Sequence, residues 1–336
     1  MIAWRSLLML ALTVVTLFAI VFTLLAGYGL VMAEVWEHHP LDYETAEGEW
    51  IWIDDQPIYY RTWGWERGPQ VVLVHGFQIE GQEMWSNTAQ YLADAGLYVV
   101  AVDLKGFGRS ARDASPNYSI DSQAAILARV LNQLNIGEAT VVGHGWGGAV
   151  AMQLAVDQPR FVGQLVLISP RVHGDGMSLW RGLADAPLID RAVAWTMAGG
   201  GPLWALSQRL GFYDYSRADE EYRRAVQQAT RIVGTVDALL AMAASPHDGP
   251  PLHPERIGVP THIVLGEQDG RAVRREALRL EKDLPNARLF IIPEGGHYVQ
   301  MEQYRVVNRI ITEICLPDEP PTLTGIDSPY QRQFSR

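Results

Sequence analysis

Four unbroken apolar runs dictate most of what this chain can become: Val71-Val72-Leu73-Val74, Tyr98-Val99-Val100-Ala101-Val102, Ala139-Thr140-Val141-Val142 and Leu165-Val166-Leu167-Ile168. A strand with no polar alternation is covered on both faces, which is the condition of parallel strands lying between helices. Helical segments fall between the runs, at about Gln82–Ala95, Ile120–Leu134 and Gly147–Asp157. That alternation predicts right-handed βαβ units and an open, twisted α/β sheet with helices on both faces. Ahead of it, Glu49–Ile53 and Ile58–Trp63 flank Asp54-Asp55-Gln56-Pro57, so a hairpin is expected there. After Ile168 the alternation stops. From Arg171 to about Glu255 the chain is helix-like, rich in Trp, Gly and Pro, and shows no clear strand. It resumes with Thr261–Leu265, a helix near Val273–Asp283, Arg288–Ile292 and a last helix near Val299–Ile314. Residues 171–255 are therefore expected as a helical insertion into one core made of 48–170 and 256–315, with 316–336 as a Pro-rich, flexible tail.

Composition narrows the function. Lys and Arg number 27 against 38 Asp and Glu, a net charge of −11, which disfavours a nucleic-acid partner because phosphates require a basic face. The single cysteine, Cys315, leaves no disulfide framework, zinc cluster or CxxC pair. Cys315 lies in the amphipathic last helix and reads as a packing residue. At the N-terminus, Leu7 to Ala33 carries no charge, and about 20 such residues cross a bilayer core. Trp4, Tyr28 and Trp36 sit near its ends, where interfacial aromatics belong. The run exceeds a signal-peptide core, so residues 1–34 are expected to be a retained single-pass anchor, the alternative being a signal peptide cleaved after Val31-Met32-Ala33. The positive-inside rule counts basic residues, and Arg5 before the run, with Glu34, Glu37 and Asp42 after it, gives the expectation that the globular part lies on the non-cytoplasmic side. His38-His39 beyond the span reads as ordinary polar chain, since neighbouring histidines point in different directions and bring no carboxylate with them.

Chemistry is expected at the carboxyl ends of the parallel strands. His75-Gly76-Phe77 follows the first of them. Gly143-His144-Gly145-Trp146-Gly147-Gly148 joins a strand to a helix through a tight turn of small residues. Asp269 follows the strand ending at Leu265, and His297 lies in Gly295-Gly296-His297. A carboxylate and a histidine on neighbouring strand-end loops are what a general base and its orienting partner need.

From about Trp50 to Ile314 the chain resembles the α/β-hydrolase superfamily. The resemblance is carried by HGF at His75–Phe77, DLKGFGRS at Asp103–Ser110, VVGHGWGG at Val141–Gly148, VLGEQD at Val264–Asp269 and IIPEGGH at Ile291–His297, in that order. It implies that Asp269 is the triad acid and His297 the triad base, that the N–H groups of Phe77 and Trp146 form an oxyanion hole, and that the insertion caps the site. One position departs from the family. Its elbow carries Ser, Asp or Cys at the centre, and here the centre is Gly145. The flanks look like those of epoxide hydrolases and haloalkane dehalogenases, and equally like esterase elbows. Glycine forms no acyl or alkyl ester, yet it suits the strained backbone of the turn.

Other polar residues read as structural. His144 is expected to pack beside the elbow. Asp103 and Ser110 shape a loop that leads away from it, and Ser169 ends a strand before Pro170. Trp180, Trp195, Trp204, Phe212 and Tyr213 are expected to pack the insertion onto the sheet. The expected protein is thus a membrane-anchored hydrolase-fold chain acting on a small apolar ester, epoxide or similar molecule, with hydrolysis by His297-activated water. The alternative is a non-catalytic ligand-binding or scaffold member. No metal, nucleotide or flavin cofactor is implied.

Overall fold

In the computed structural model, residues 2–41, 47–113, 117–172, 190–191, 194, 206, 209–218, 220–245 and 253–316 are described. Trp180, Trp195, Trp204 and nearly all of the tail lie outside them. The chain begins with a helix, α1 (Ile2–Trp36), whose stretch Leu8–Tyr28 is long and apolar enough to cross a membrane. A hairpin follows, β1 (Glu49–Ile53) and β2 (Gln56–Trp63), closed by Asp54 and Asp55 alone. Both turn residues have positive φ, 49° and 62°, the geometry of a two-residue turn that matches strand twist. Gln56 and Pro57, expected in the turn, instead begin β2, because pairing of Ile53 with Gln56 leaves room for only two loop residues.

The remaining strands are β3 (Gln70–Val74), β4 (Tyr98–Val102), β5 (Ala139–His144), β6 (Val162–Ile168), β7 (Thr261–Gly266) and β8 (Ala287–Ile292). They form one eight-stranded sheet in the order β1-β2-β4-β3-β5-β6-β7-β8, parallel from β4 to β8. The helices of the core are α2 (Ser86–Asp94), α3 (Ile120–Gln133) and α4 (Trp146–Asp157). Helices α5 (Glu220–Ala229) and α6 (Thr235–Ala244) belong to the insertion between β6 and β7. Then come α7 (Arg271–Asp283), α8 (Val299–Glu302) and α9 (Tyr304–Cys315). Two of the expected helices are divided. A 3₁₀ turn, Gly81–Trp85, precedes α2, and the last helix breaks at Gln303.

The apolar runs conceal a period of two. Val72, Val74, Val100, Val102, Leu165 and Leu167 face one layer, with Leu127, Leu131 and Val150 of α3 and α4. Val71, Leu73, Val99, Ala101 and Val166 face the other, with Leu92 of α2 and Val307, Ile310 and Ile311 of α9. The runs Val71–Val74, Val99–Val102, Ala139–Val142 and Leu165–Ile168 are therefore buried on both faces without being uniform. Complete burial of a Val or Leu side chain is worth roughly 1.5–3 kcal/mol, so the central strands fix the sheet edges from which the site loops leave.

Candidate active site

The turn from β5 to α4 places Gly145 at φ 54°, ψ −118°, a conformation that side-chain-bearing residues rarely adopt. Backbone bonds alone hold it there. Gly145 N–H donates to the Ile168 carbonyl at 2.9 Å, while its own carbonyl accepts from Gly148 at 3.2 Å and Arg171 at 3.0 Å. Its neighbours are small of necessity. A Cβ on Gly143 would lie 2.6 Å from the Gly147 carbonyl oxygen, and one on Gly147 would overlap the His75 carbonyl. Position 145 itself differs. A Cβ there would meet nothing nearer than His297 Nε2 at 3.6 Å, then Gly76 Cα at 3.9 Å.

His297 and Asp269, 28 residues apart, are brought together: His297 Nδ1 lies 3.2 Å from Asp269 Oδ2. The carboxylate accepts a hydrogen bond from Nδ1–H, so Nε2 keeps its lone pair and faces position 145. Burial pulls the Asp269 carboxyl upward, but the His297 ring, the neighbouring Ser169 hydroxyl and the Gly270 N–H outweigh it and hold the group below the usual carboxylate range. Ser169 is buried at φ 46° with no hydrogen bond of regular geometry, and it acts on Asp269 through proximity.

Phe77 and Trp146 flank the turn. Their rings stand edge to face at 5.9 Å, and both meet Phe107, at 5.2 and 5.9 Å. The half-buried Phe77 and Trp146 rings, backed by the fully buried Phe107, make an aromatic wall beside Gly145. Trp146 is the first residue of α4, where N–H groups have no partner within the helix. Among the described residues, no backbone carbonyl outside the regular elements accepts from the N–H of Phe77 or Trp146.

His144 packs as expected: its Nε2–H donates to the His297 carbonyl at 3.0 Å, and burial lowers its ring to about 3. His75 is similarly neutral, lowered by burial to about 4, accepting from Leu104 N–H at Nε2. Asp103 accepts from Gln82 and Arg109 N–H, and Ser110 bridges Tyr59 N–H and the Asp103 carbonyl, so neither enters the site. Cys315, half-buried at the end of α9, packs under the sheet. Phe212 is buried and stacks on Tyr298 at 4.5 Å, as expected of a packing residue. Tyr213, expected to pack likewise, is 52% exposed, since it is its backbone that meets the His297 loop.

One supporting residue is not visible in the sequence motifs. Glu302, in α8, accepts from Gly296 N–H at 2.7 Å and from Asp214 N–H at 2.8 Å, tying the His297 loop to the insertion. His297 N–H completes the tie by donating to the Gly211 carbonyl at 2.7 Å. Burial pushes the Glu302 carboxyl up, against the pull of these N–H groups. Glu302→Ala is expected to lower the unfolding free energy by about 2 kcal/mol, within the range of charge-assisted bonds. Urea denaturation checks this, and an unchanged midpoint would show that the loop holds itself.

An acid–histidine pair facing a strand–turn–helix at the carboxyl ends of a mostly parallel sheet defines a hydrolase-type α/β architecture. The chain belongs to the α/β-hydrolase fold family, whose model matches residues 69–304. It is similar to the AB hydrolase superfamily protein YfhM of Bacillus subtilis, 27% identical over 277 residues, 74% of this chain and 91% of the relative. It is also similar to a 2-hydroxy-6-oxononadienedioate/2-hydroxy-6-oxononatrienedioate hydrolase of Burkholderia vietnamiensis, 28% identical over 263 residues, 72% of this chain and 85% of the relative. Among solved structures, a thermophilic esterase from Thermogutta terrifontis superposes with TM-score 0.64 at 24% identity, covering 80% of this chain and 98% of that one. The epoxide hydrolase CorEH superposes with TM-score 0.63 at 21% identity, covering 80% and 98%. Hydrolase ancestry follows from the family.

Proposed function

We propose that this protein is a membrane-anchored hydrolase of small, fairly apolar esters or related compounds, in which His297 activates water directly over Gly145. The observation that carries the reading is the 3.6 Å between His297 Nε2 and the place a Cβ would take at 145, with the Asp269 bond kept behind the ring. A base with its orienting acid thus faces a space the size of a missing side chain. In the proposed reaction, water in that space gives a proton to Nε2 as its oxygen bonds to the substrate carbonyl carbon. The Phe77 and Trp146 N–H groups receive the negative oxygen. The intermediate then collapses, the C–O bond to the leaving alcohol breaks, and Nε2 returns the proton to it. Phe77, Phe107 and Trp146 supply an apolar wall for the substrate, and the insertion serves as the cap. Relatives named as hydrolases of small oxo-acids support a small substrate. The apolar stretch of α1 serves as the anchor.

The second reading, a ligand-binding member without catalysis, is favoured by one observation: residue 145 offers no hydroxyl, thiol or carboxylate. A short-chain ester panel with the purified full chain separates the two. The catalytic reading expects turnover without an acyl-enzyme burst, indifferent to fluorophosphonate, and slowed about 10²–10⁴-fold by His297→Ala, the contribution of one general base. No turnover with any ester would leave the ligand-binding reading, and turnover undiminished by His297→Ala would overturn His297 as the base.

A further inference from the structure

The residues that follow the apolar stretch do not form a loose tether. Helix α1 runs unbroken to Trp36, and the next residues are bonded into the insertion. Trp36 Nε1–H donates to Thr230 Oγ1 at 3.2 Å, and the Arg231 guanidinium lies 5.1 Å from the Trp36 ring centre. The Trp36 indole also packs against the buried pair Ala194 and Val236, as do Leu239 and Leu240. Glu37 spends both carboxylate oxygens on the start of α6, accepting from Gly234 N–H at 3.0 Å and Val236 N–H at 2.5 Å. An anion there meets unpaired N–H groups and the positive end of the helix. His39 then pairs as a single strand-like bridge with Ile232: its N–H donates to the Arg231 carbonyl at 3.0 Å, and its carbonyl accepts from Val233 N–H at 2.9 Å.

We propose that this clamp, from Trp36 to His39, seats the insertion on the lipid surface, with residues 230–236 within a side chain's reach of the headgroups. The proposal rests on the reading of α1 as a retained anchor. Its geometry comes from helix rise. From Tyr28, where the apolar stretch ends, to Trp36 is eight residues, or about 12 Å at 1.5 Å each. Headgroup layers extend roughly 5–7 Å beyond the hydrocarbon on each side, and any tilt of α1 shortens the climb. The clamped face therefore rests within one side chain's reach of the headgroups. The chemistry at that level fits an interface, with Trp36 and Arg231 stacked at the end of the span. The insertion also displays apolar side chains to solvent: Leu206, Leu210, Tyr213 and Val233, the last 54% exposed beside the clamp. A flexible linker would let the domain tumble above the bilayer, whereas four residues bonded at this many points fix one face toward it.

The test uses the full chain reconstituted in phosphatidylcholine vesicles containing a nitroxide-headgroup lipid, with Cys315→Ala as background. An environment-sensitive fluorophore is attached at Val233→Cys in one sample. In another it is attached at Glu66→Cys, on the exposed loop between β2 and β3, at the opposite end of the sheet from the site loops. The Val233 probe is expected to be blue-shifted and to lose most of its emission to the nitroxide, and the Glu66 probe to keep its own. Trp36→Ala with Glu37→Ala should abolish the difference while carbonate washing still leaves the chain in the membrane. Thr230→Val, which removes the acceptor of Trp36 together with the hydroxyl's own bond to the Gln227 carbonyl one turn back, should reduce it while the chain stays folded. A retained chain whose two probes respond alike would overturn the seating. Quenching at Val233 that persists in the double variant would overturn the clamp as its cause. A chain extracted by carbonate would instead overturn the anchor on which the proposal stands.

Discussion

Gly145→Ser is expected to turn the protein into a serine esterase that fluorophosphonate labels at residue 145, with turnover raised roughly 10³-fold or more over the parent. Removal of a triad nucleophile costs at least that much in studied proteases, and the substitution runs the same difference in reverse. The geometry is prepared for it. A serine Cβ would stand 3.6 Å from His297 Nε2, so its hydroxyl is one bond away from the 2.6–3.2 Å reach, approximately, in which a base removes a proton. Asp269 already fixes the ring with its lone pair outward. The cost lies in the backbone, because φ 54° with ψ −118° strains any residue with a Cβ, by about 1–3 kcal/mol. The bonds to Ile168, Gly148 and Arg171 hold the turn regardless of its side chain. Gly147→Ser, two residues on, is the contrasting control: its Cβ would overlap the His75 carbonyl, so it should unfold the elbow rather than arm it. Adding His297→Ala to Gly145→Ser should return the rate to background. If the serine variant folds, stays monodisperse and turns over no ester, the wall of Phe77, Phe107 and Trp146 does not position a carbonyl, and the ligand-binding reading replaces the catalytic one.

Strands and the order of the site motifs were legible because both are written locally. An unbroken run such as Val71–Val74 announces a doubly covered strand wherever it occurs, and Asp269 and His297 each follow such a run at a strand end. What joins distant segments was not legible. Glu37 and the N–H groups it accepts are 197 and 199 residues apart, and nothing in a glutamate after an apolar helix names its partners. Glu302 reads as an ordinary surface acid in a helix until Gly296 and Asp214 are placed against it. The divided helices have the same origin. Helical periodicity continues through Trp85 and through Gln303, so neither the 3₁₀ turn nor the break, where Gln303 takes φ −118° and ψ 38°, shows in the pattern. The hairpin turn erred in the opposite direction: Pro57 looked like turn chemistry, but it sits in β2 opposite Trp52.

Glu80 carries the second large expectation: Glu80→Gln should leave stability nearly unchanged at pH 4 and raise it by about 3 kcal/mol at pH 8. The carboxyl is buried at the start of the 3₁₀ turn, beside Tyr222 of the insertion, and burial pushes it up to about 7, with the charges of Asp103 and Glu83 adding to the rise. In the unfolded chain the same group releases its proton near 4.5. Between those two values the folded state holds the proton and the unfolded state does not, so stability falls as pH rises through this window and the loss is complete above about 7. At 1.36 kcal/mol per pKa unit, the loss comes to about 3 kcal/mol. Glutamine has the same shape and no charge, so it is spared that loss while filling the same space against Tyr222. Asp103 titrates in the same range, also raised by burial to about 7, but it accepts two backbone N–H bonds and is common to both proteins, so the difference between them isolates Glu80. Thermal unfolding of the detergent-solubilised full chain should show midpoints that coincide at pH 4 and separate by roughly 5–10 °C at pH 8, with the variant higher. Curves that remain parallel across this range would mean that Glu80 is ionised and solvated beneath the insertion, and that the contact with Tyr222 opens to water.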